Sequence, residues 1–484
     1  MESKSFNVSE HVGEPLLFVG GDLSGIQKFL YNITSKKAAV SLKGRSKYLV
    51  DVMKDILSRL LKLDHVSQSE VRYTVYDSGG KFYLIIGDTP QNREDIDGFK
   101  PLIEKEMWNE HRGQLAINMA YYPFSFNTDE TINSADGQRL PLGTLWRKVN
   151  EVFFTQKQQK FKSVIDEYYA DFFGITEVYP EAGVCAISGI ESSDLVKLDK
   201  DADGEAIYVL PSVKKQVEEG QKLRREQHFK TFEEYAGHSF LGILRMDVDG
   251  LGKMFINGFK TMASYQDFSN TLARFFNEEL PRLQQSDEYS DYLNIIYAGG
   301  DDLFAVGRWD KLIDFARDVR NRFVQYVNRS GVTISGGIAI VNPKFPIAKA
   351  ALLAGEAEEA AKHFRNGEKN AFCMFGQTIS WNVEFDFVER YKKQMLELCQ
   401  GDNMPKSILH KLMVMADIKR KGDVKYAWNT IYYLARFKRG KPDSVANFCD
   451  QLKIDLFDNS KRNNNFELIA LAARWAEMHM KEVN

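Results

Sequence analysis

Residues 292–306, YLNIIYAGGDDLFAV, contain the pattern on which the fold prediction rests. An apolar run is followed by Gly-Gly-Asp-Asp and by a second apolar run, which predicts two β-strands joined by a tight turn. A strand over Phe240–Met246, ending in Asp-Val-Asp-Gly, and a helix over Phe268–Leu283 are predicted before this hairpin. A helix over Trp309–Val327 and a strand over Val332–Val341 are predicted after it.

A similar series of patterns occurs earlier in the chain. A short strand over Leu16–Gly20 precedes a helical pattern over Arg45–Leu63, and a hairpin over Tyr73–Ile86 follows with Gly79 and Gly80 at its turn. The order strand, helix, hairpin, helix, strand is that of a ferredoxin-like unit, which is also the palm of polymerases and cyclases. We therefore predict an α+β fold with two palm domains that arose by internal duplication.

The domain division follows from length and from changes in pattern. A chain of 484 residues is too long for one ordinary core. A charged stretch separates the two palms, and the pattern after about residue 385 is helical throughout. We predict a first palm over residues 1–175, a small linker domain over 176–238, a second palm over 239–384 and a C-terminal α-helical domain over 385–484.

Composition excludes several classes of protein. The net charge of −3 lacks the basic character of a free-standing nucleic-acid-binding protein. No run of 18 apolar residues predicts a membrane span. The four cysteines are far apart and form no CxxC pair, which argues against a disulfide framework. We expect a cytoplasmic protein with reduced thiols.

Four carboxylates occupy the ends of neighbouring strands. Asp247 and Asp249 end the first strand of the second palm, while Asp301 and Asp302 lie in the turn between its second and third strands. Because the first strand of this fold lies antiparallel to the third, three or four of these carboxylates should converge. Like charges so close raise one another's pKa unless a cation compensates them.

Such a cluster is suited to two divalent metal ions. Oxygen ligands in near-octahedral geometry favour Mg²⁺ or Mn²⁺ over Zn²⁺. Two ions would activate an attacking hydroxyl and stabilise leaving pyrophosphate. The Val248 carbonyl is a plausible further ligand, and Gly299 and Gly300 leave room for a triphosphate. The alternative is an ordinary hairpin turn, in which Gly and Asp are common.

Five ordered segments resemble one known family, the large polymerase-like subunit of type III CRISPR effector complexes, and in particular its Csm branch. They are Gly21–Phe29 (GDLSGIQKF), Ser41–Leu49 (SLKGRSKYL), Asp247–Gly252 (DVDGLG), Tyr297–Asp302 (YAGGDD) and Gly367–Asn370 (GEKN). The resemblance covers nearly the whole chain.

The resemblance implies target-RNA-activated synthesis of cyclic oligoadenylates from ATP, within a complex of other subunits with guide RNA and target RNA. It implies catalytic metal binding by Asp247, Asp301 and Asp302, and no catalytic metals in the first palm. The residues then expected to contact nucleotides are Ser24, Gly25, Gly79, Gly80, Asp249, Gly299, Gly300 and Lys369. Within this set, Lys369 would contact a triphosphate, and Ser24 and Gly25 an acceptor nucleotide.

Two departures from the family are expected to matter. Relatives often begin with an HD nuclease domain, but no histidine here is followed by Asp, so we expect no HD-type DNA cleavage. The family's linker often carries four zinc cysteines. Here only Cys185 remains, and Leu210 and Val213 occupy the positions of the second pair, so we expect no zinc.

Two other functions remain open. Diguanylate-cyclase-like enzymes also carry a Gly-Gly-Asp/Glu hairpin on a palm, but their turn continues with Glu-Phe, whereas Leu303 and Phe304 follow Asp302 here. A non-catalytic scaffold subunit is the second alternative, and intact carboxylates argue against it.

Overall fold

A computed structural model describes residues 6–34, 36–165, 167, 169, 183–200, 204–401, 404–457 and 464–482. The predicted boundary between residues 175 and 176 lies outside these residues. The chain divides into two compact units, the first comprising Met1–Ile334 with Val341–Ala354 and the second Ser335–Ile340 with Gly355–Asn484. Among the described helices, none combines the length and apolar character that a membrane span requires.

The first unit contains a six-stranded sheet, in which the strands lie in the order β2 (Arg72–Ser78), β3 (Lys81–Gly87), β1 (Leu16–Ser24), β4 (Ala116–Phe126), β5 (Ile132–Ser134) and β6 (Arg139–Leu140). β1 pairs antiparallel with both β3 and β4, and its residues 16–23 are all buried, as expected for an apolar strand covered on both faces. Around this sheet lie a 3₁₀ turn (Val8–His11) and helices α1 (Ile26–Tyr31), α2 (Ala38–Leu60), α3 (Asp64–Gln68), α4 (Pro90–His111) and α5 (Thr144–Gln158).

Short elements connect this sheet to the next. Two small hairpins are formed by β7 (Gly183–Val184) with β8 (Glu191–Ser192) and by β9 (Val196–Lys200) with β10 (Ala206–Val209). They are followed by α6 (Pro211–Gln227) and α7 (Phe232–Ala236). α6 thus lies within the charged stretch that separates the two palms.

The second palm begins with β11 (Leu241–Val248), which pairs antiparallel with β13 (Asp302–Arg308), and β13 pairs in turn with β12 (Leu293–Gly299). Helices α8 (Leu251–Asn257), α9 (Met262–Arg274) and α10 (Leu280–Gln284) lie between β11 and β12, and α11 (Trp309–Val327) follows β13. A π turn at Phe275–Glu279 interrupts the helix predicted over Phe268–Leu283. It ends just before Pro281, which has no N–H to donate to an α-helix.

The two hairpins repeat each other in register. Asp22 of β1 is paired with Lys81 of β3, as Asp247 of β11 is paired with Asp302 of β13. The structure therefore aligns Lys81 with Asp302 and Gly80 with Asp301. The first strand of each palm lies beside the third, as predicted.

Both hairpins also carry the same irregularity. The register of β2 against β3 shifts between Thr74 and Tyr76, and that of β12 against β13 shifts between Ile295 and Tyr297. A bulge places an extra residue in one strand of a pair, bends that strand and increases its local twist. The irregularity therefore recurs at equivalent positions of the two hairpins, while the origin of the two palms by internal duplication stays a prediction.

The remaining part of the chain contains three further paired strands and a helical region. β14 (Ile334–Val341) pairs parallel with β15 (Ala371–Met374), which pairs antiparallel with β16 (Gln377–Ser380). α12 (Ile347–Lys362) and a 3₁₀ turn (Phe364–Asn366) precede β15. The predicted C-terminal helical region contains α13 (Glu384–Gly401), α14 (Ser407–Arg420), α15 (Lys425–Phe437), α16 (Asp443–Leu456) and α17 (Asn465–Glu482).

The SLKGRSKYL segment has a structural role in α2. At Gly44 an added methyl group would lie 1.7 Å from the Gln216 carbonyl oxygen of α6, so the two helices pass with their backbones nearly in contact. The next residue, Arg45, is only 1% exposed and donates to the carbonyls of Phe29 (2.5 Å) and Asn32 (3.0 Å). This segment therefore joins α2 both to α6 and to the end of α1.

His111 gives the first unit a predicted sensitivity to acid. It is buried, and its Nε2 lies 2.7 Å from Tyr48 Oη. Burial, reinforced by the charge of Arg45, lowers the pKa of His111 from 6.5 to about 4. Because the unfolded chain binds this proton more tightly, the stabilisation is fully present above the unfolded pKa and is lost as pH falls from 6.5 towards 4.

Denaturant unfolding at about pH 7 and about pH 4.5 tests this assignment. We expect wild type to lose about 2 kcal/mol more stability over this interval than His111→Gln, because glutamine cannot be protonated there. Equal losses in the two proteins would contradict the assignment.

Candidate functional site: paired turns of the two palms

The predicted metal carboxylates meet at the end of the second hairpin. Asp247 is the residue directly opposite Asp302 across the β11–β13 pair. One carboxylate oxygen of each lies within 4.8 Å of the other, a spacing that one cation could bridge. The predicted convergence of the strand ends is confirmed for this pair, whereas the assignment of the two residues as metal ligands stays a prediction.

Asp301 occupies the turn itself. The Val248 N–H donates to the Asp301 carbonyl oxygen (3.0 Å), which ties the end of β11 to the turn. Gly300 has a φ of +67°, while Asp301 is not left-handed, the pattern of a type II′ hairpin turn. The turn therefore requires glycine at position 300 and tolerates a carboxylate at position 301.

Asp249 makes its own contacts with the segment that precedes β14. It is 5% exposed and its Oδ2 accepts a hydrogen bond of 2.7 Å from Thr333 Oγ1. Its own N–H donates to the Thr333 carbonyl oxygen (2.8 Å). Of the four strand-end aspartates, Asp249 is thus fixed to the segment that precedes β14, and its predicted nucleotide contact stays a prediction.

Gly25 follows the first strand of the first palm, and Gly250 is its equivalent in the second palm; the two glycines differ in the space around them. At Gly25 an added methyl would lie 2.1 Å from the Gln114 carbonyl oxygen, while at Gly250 nothing lies within 4 Å. Ser24 Oγ donates to the Ala116 carbonyl oxygen (3.1 Å). In the first palm this position is therefore filled by the chain itself, whereas in the second it is open.

In the first palm, two lysine side chains lie beside the buried carboxylate of Asp22. Lys81 occupies the position equivalent to Asp302, and its Nζ lies 3.8 Å from Asp22 Oδ1. Lys157 Nζ, from α5, lies 2.8 Å from Asp22 Oδ2. Asp22 is only 3% exposed, so these two ammonium groups supply the positive charge that a buried carboxylate requires.

The turns of the two palms touch. At Gly79 an added methyl would lie 2.8 Å from the Gly300 Cα, and at Gly80 it would lie 2.5 Å from Ile26 Cδ1. Ser78 Oγ accepts a hydrogen bond of 3.1 Å from the Gly300 N–H. Gly79 and Gly80, predicted to contact a nucleotide, are thus needed for close packing of the chain on itself.

The charges of the second turn act on the groups around it. Burial lowers the pKa of Lys81, but the carboxylates of Asp22, Asp301 and Asp302 outweigh burial and raise it overall. The pKa of the buried Tyr297 is raised by burial and then by the charges of Asp302 and Asp301. Negative charge is therefore concentrated at this turn and is felt by side chains of both palms.

Lys369, which is predicted to contact a triphosphate, lies in the second unit. Lys369 follows the 3₁₀ turn and is half-buried, with a φ of +54°. Arg365, Asn366, Gly367 and Asn370 also have positive φ. A loop with this many left-handed residues has a specific backbone path, and the contact of Lys369 with phosphate stays a prediction.

In the linker, Cys185 is buried and its Sγ accepts the Ser188 N–H at 3.4 Å. Leu210 caps the start of α6, and Val213 is buried within that helix. The predicted absence of zinc stays a prediction.

Three residues in or near the paired turns, Asp22, Ser78 and Lys157, were not singled out from the sequence. Asp22 could have been found, because the repeat aligns it with Asp247. Ser78 and Lys157 gave no such signal, since their partners Gly300 and Asp22 lie more than 100 residues away in the chain.

Two family models match the chain. The family described as Cas10/Cmr2, second palm domain, matches residues 240–373, and the Csm1 subunit domain B matches residues 15–173. Each match contains one of the two repeated hairpins.

An individual relative agrees with these matches. A protein of Enterococcus italicus named CRISPR system single-strand-specific deoxyribonuclease Cas10/Csm1 (subtype III-A) is 25% identical, over 87% of this chain and 62% of its own length. The chain thus spans about 62% of the length of this relative.

Solved structures share the fold. The Csm1–Csm4 cassette in complex with pppApA has a TM-score of 0.67 at 18% identity, covering 97% of this chain and 70% of the solved chain. The same cassette in complex with cA3 has a TM-score of 0.64 at 17% identity, covering 96% and 70%. On the two family matches and these relatives, the chain belongs to the Cas10/Csm1 family of subtype III-A CRISPR systems.

Proposed function

We propose that this chain synthesises cyclic oligoadenylates from ATP by two-metal nucleotidyl transfer, as part of a type III CRISPR effector complex activated by target RNA. The observation that carries the proposal is the facing pair Asp247 and Asp302 at a glycine turn that the other palm contacts. Relatives of the same fold have been solved with pppApA and with cA3, a substrate-like and a product-like ligand for this chemistry.

The donor set fits Mg²⁺ or Mn²⁺. Asp247, Asp301 and Asp302 would supply carboxylate oxygens and Val248 a carbonyl oxygen, all hard ligands suited to these ions. When bound, two ions would lower the pKa of an attacking hydroxyl and stabilise the leaving pyrophosphate. Lys81 and Lys157 fulfil the charge requirement at Asp22, so the first palm needs no metal.

Other residues would bind and orient the nucleotides. The open space at Gly250, together with the glycines of the second turn, would admit phosphates close to the carboxylates. Lys369 would bind a triphosphate, and Ser24 and Gly25 would border an acceptor nucleotide. Holding donor and acceptor in line accounts for much of the rate enhancement in phosphoryl transfer.

We also propose the setting in which this reaction occurs. The matched structures are of Csm1 with Csm4, and we infer that this chain likewise assembles with other Csm subunits, guide RNA and target RNA in the cytoplasm. The four domains predicted from the sequence, with their three boundaries, are part of the same proposal. The deoxyribonuclease in the relatives' name is a separate activity, on which the proposal does not depend.

A product assay on the assembled complex tests the proposal. With ATP, Mg²⁺ and target RNA, we expect adenylate oligomers detectable by mass spectrometry, and none without target RNA. Consumption of GTP in place of ATP would favour the diguanylate-cyclase-like alternative. Absence of any nucleotide product, with the complex intact, would favour the scaffold alternative.

A further inference from the structure

The turn of the first palm lies directly on the turn that carries the carboxylates. A methyl group added at Gly300 would lie 2.9 Å from the Gly79 Cα, and one added at Gly79 would lie 2.8 Å from the Gly300 Cα. Real Cβ atoms do not approach other atoms so closely, so neither position accepts a side chain without movement. Because both contacts involve backbone, rotation of a side chain cannot relieve them.

One hydrogen bond links the two turns at this contact. The Gly300 N–H donates to Ser78 Oγ at 3.1 Å, over a separation of 222 residues. Gly300 is the first residue of its two-residue turn, and in such a hairpin its N–H has no partner within the hairpin. Ser78 therefore supplies the acceptor that this backbone group requires.

We propose that Ser78 is a positioning residue, which holds the backbone of the Gly299–Asp302 turn and so sets the direction of its two carboxylates. The inference rests on the proposed function and assigns a new role to the first palm. That palm, in which Lys81 occupies the position equivalent to Asp302, would act as a clamp on the turn of the second.

The physical need for a clamp arises from the charges of the turn. Asp301 and Asp302 are adjacent and repel each other, and Mg²⁺ demands near-ideal octahedral geometry from its ligands. Ligands must be held within about 0.5 Å of the productive arrangement for efficient chemistry. Gly300 lies one residue before the first carboxylate. Fixing its backbone therefore restricts the directions in which both aspartate side chains extend.

Kinetics of the intact complex with target RNA test the role of Ser78. For Ser78→Ala we expect kcat to fall about tenfold, the effect of one hydrogen bond worth about 1.4 kcal/mol, with the KM for ATP little changed. Ser78→Thr keeps the hydroxyl and should restore most of the activity. Ser67→Ala is the matched control, because Ser67 Oγ donates to the nearby Asp64 carbonyl oxygen (2.9 Å), within its own short helix.

Calorimetric titration of the complex with Mn²⁺ alone, without ATP, provides a readout that does not depend on turnover. We expect Ser78→Ala to weaken Mn²⁺ binding by about tenfold and Ser78→Thr to bind like wild type. Wild-type values of kcat and Mn²⁺ affinity in Ser78→Ala would overturn the inference, as would a threonine variant as impaired as the alanine variant. If wild type made no oligoadenylate the proposed function would fail, and the Mn²⁺ titration would still decide the role of Ser78.

Discussion

Replacing Asp301 and Asp302 together by alanine is expected to reduce adenylate synthesis to less than about one thousandth of the wild-type rate. The loss of metal ligands removes several kcal/mol of transition-state stabilisation, and each 1.4 kcal/mol corresponds to about a factor of ten. Asp247 alone would remain of the facing pair, which is insufficient to hold two ions. Mass spectrometry of products from the assembled complex measures the effect.

Thermal unfolding separates this loss from misfolding. Without metal, the double variant should have a melting temperature close to that of wild type, because the repulsion between the two adjacent carboxylates is relieved while their attraction to Lys81 is lost. Addition of Mg²⁺ or Mn²⁺ should raise the melting temperature of wild type but not of the variant, since only a protein that binds the ion is stabilised by it.

Asp287→Ala with Glu288→Ala is the matched control, because these two adjacent acidic residues are exposed and lie outside both turns. It should leave both the product yield and the metal-dependent stabilisation unchanged. Full activity in the Asp301 and Asp302 double variant would refute the assignment of the active turn.

The second prediction is a large loss of folding stability when either glycine at the crossing of α2 and α6 is replaced by alanine. Methyl groups added at Gly44 and Gly220 would lie 1.7 Å from the Gln216 carbonyl oxygen and 1.9 Å from the Val40 carbonyl oxygen. Since these are backbone atoms, the helices must separate to accommodate either methyl. We expect Gly44→Ala and Gly220→Ala each to destabilise the protein by about 3 kcal/mol, the upper part of the range for overpacking.

The matched control for this prediction is Gly98→Ala in α4. A methyl at Gly98 meets nothing within 4 Å, so the substitution should stabilise the helix by about 0.5–1 kcal/mol through the lower backbone entropy of the unfolded chain. Denaturant unfolding of the three variants gives the comparison. Equal stability of Gly44→Ala and Gly98→Ala would show that α2 and α6 are not in backbone contact.

Much of the second palm could be predicted from local pattern. The hairpin over residues 292–306 and the helix over Trp309–Val327 were found because apolar periodicity and turn residues act over a few positions. The convergence of Asp247 with Asp302 followed from the strand order of one known unit. In both cases the controlling interactions are within a single hairpin or a single sheet.

The sequence revealed only part of the difference between the hairpin turns of the two palms. Gly79 and Gly80 have φ values of +60° and +78°, a type I′ turn, whereas only Gly300 is left-handed in the second palm. An aspartate at position 80 would therefore have a strained backbone conformation. The sequence showed the missing carboxylate but not the change of turn type, because φ depends on how the strands around it twist.

By itself the sequence determined two palm hairpins, the single turn with paired carboxylates and the helical C-terminal region, since each depends on periodicity or turn residues close together in the chain. The tertiary structure alone decided that Lys157 neutralises Asp22, that Gly44 lies against α6 and that Ser78 holds Gly300. Each of these contacts joins residues more than 100 positions apart. Their distances are set by how whole elements pack, and no local pattern of residues encodes that packing.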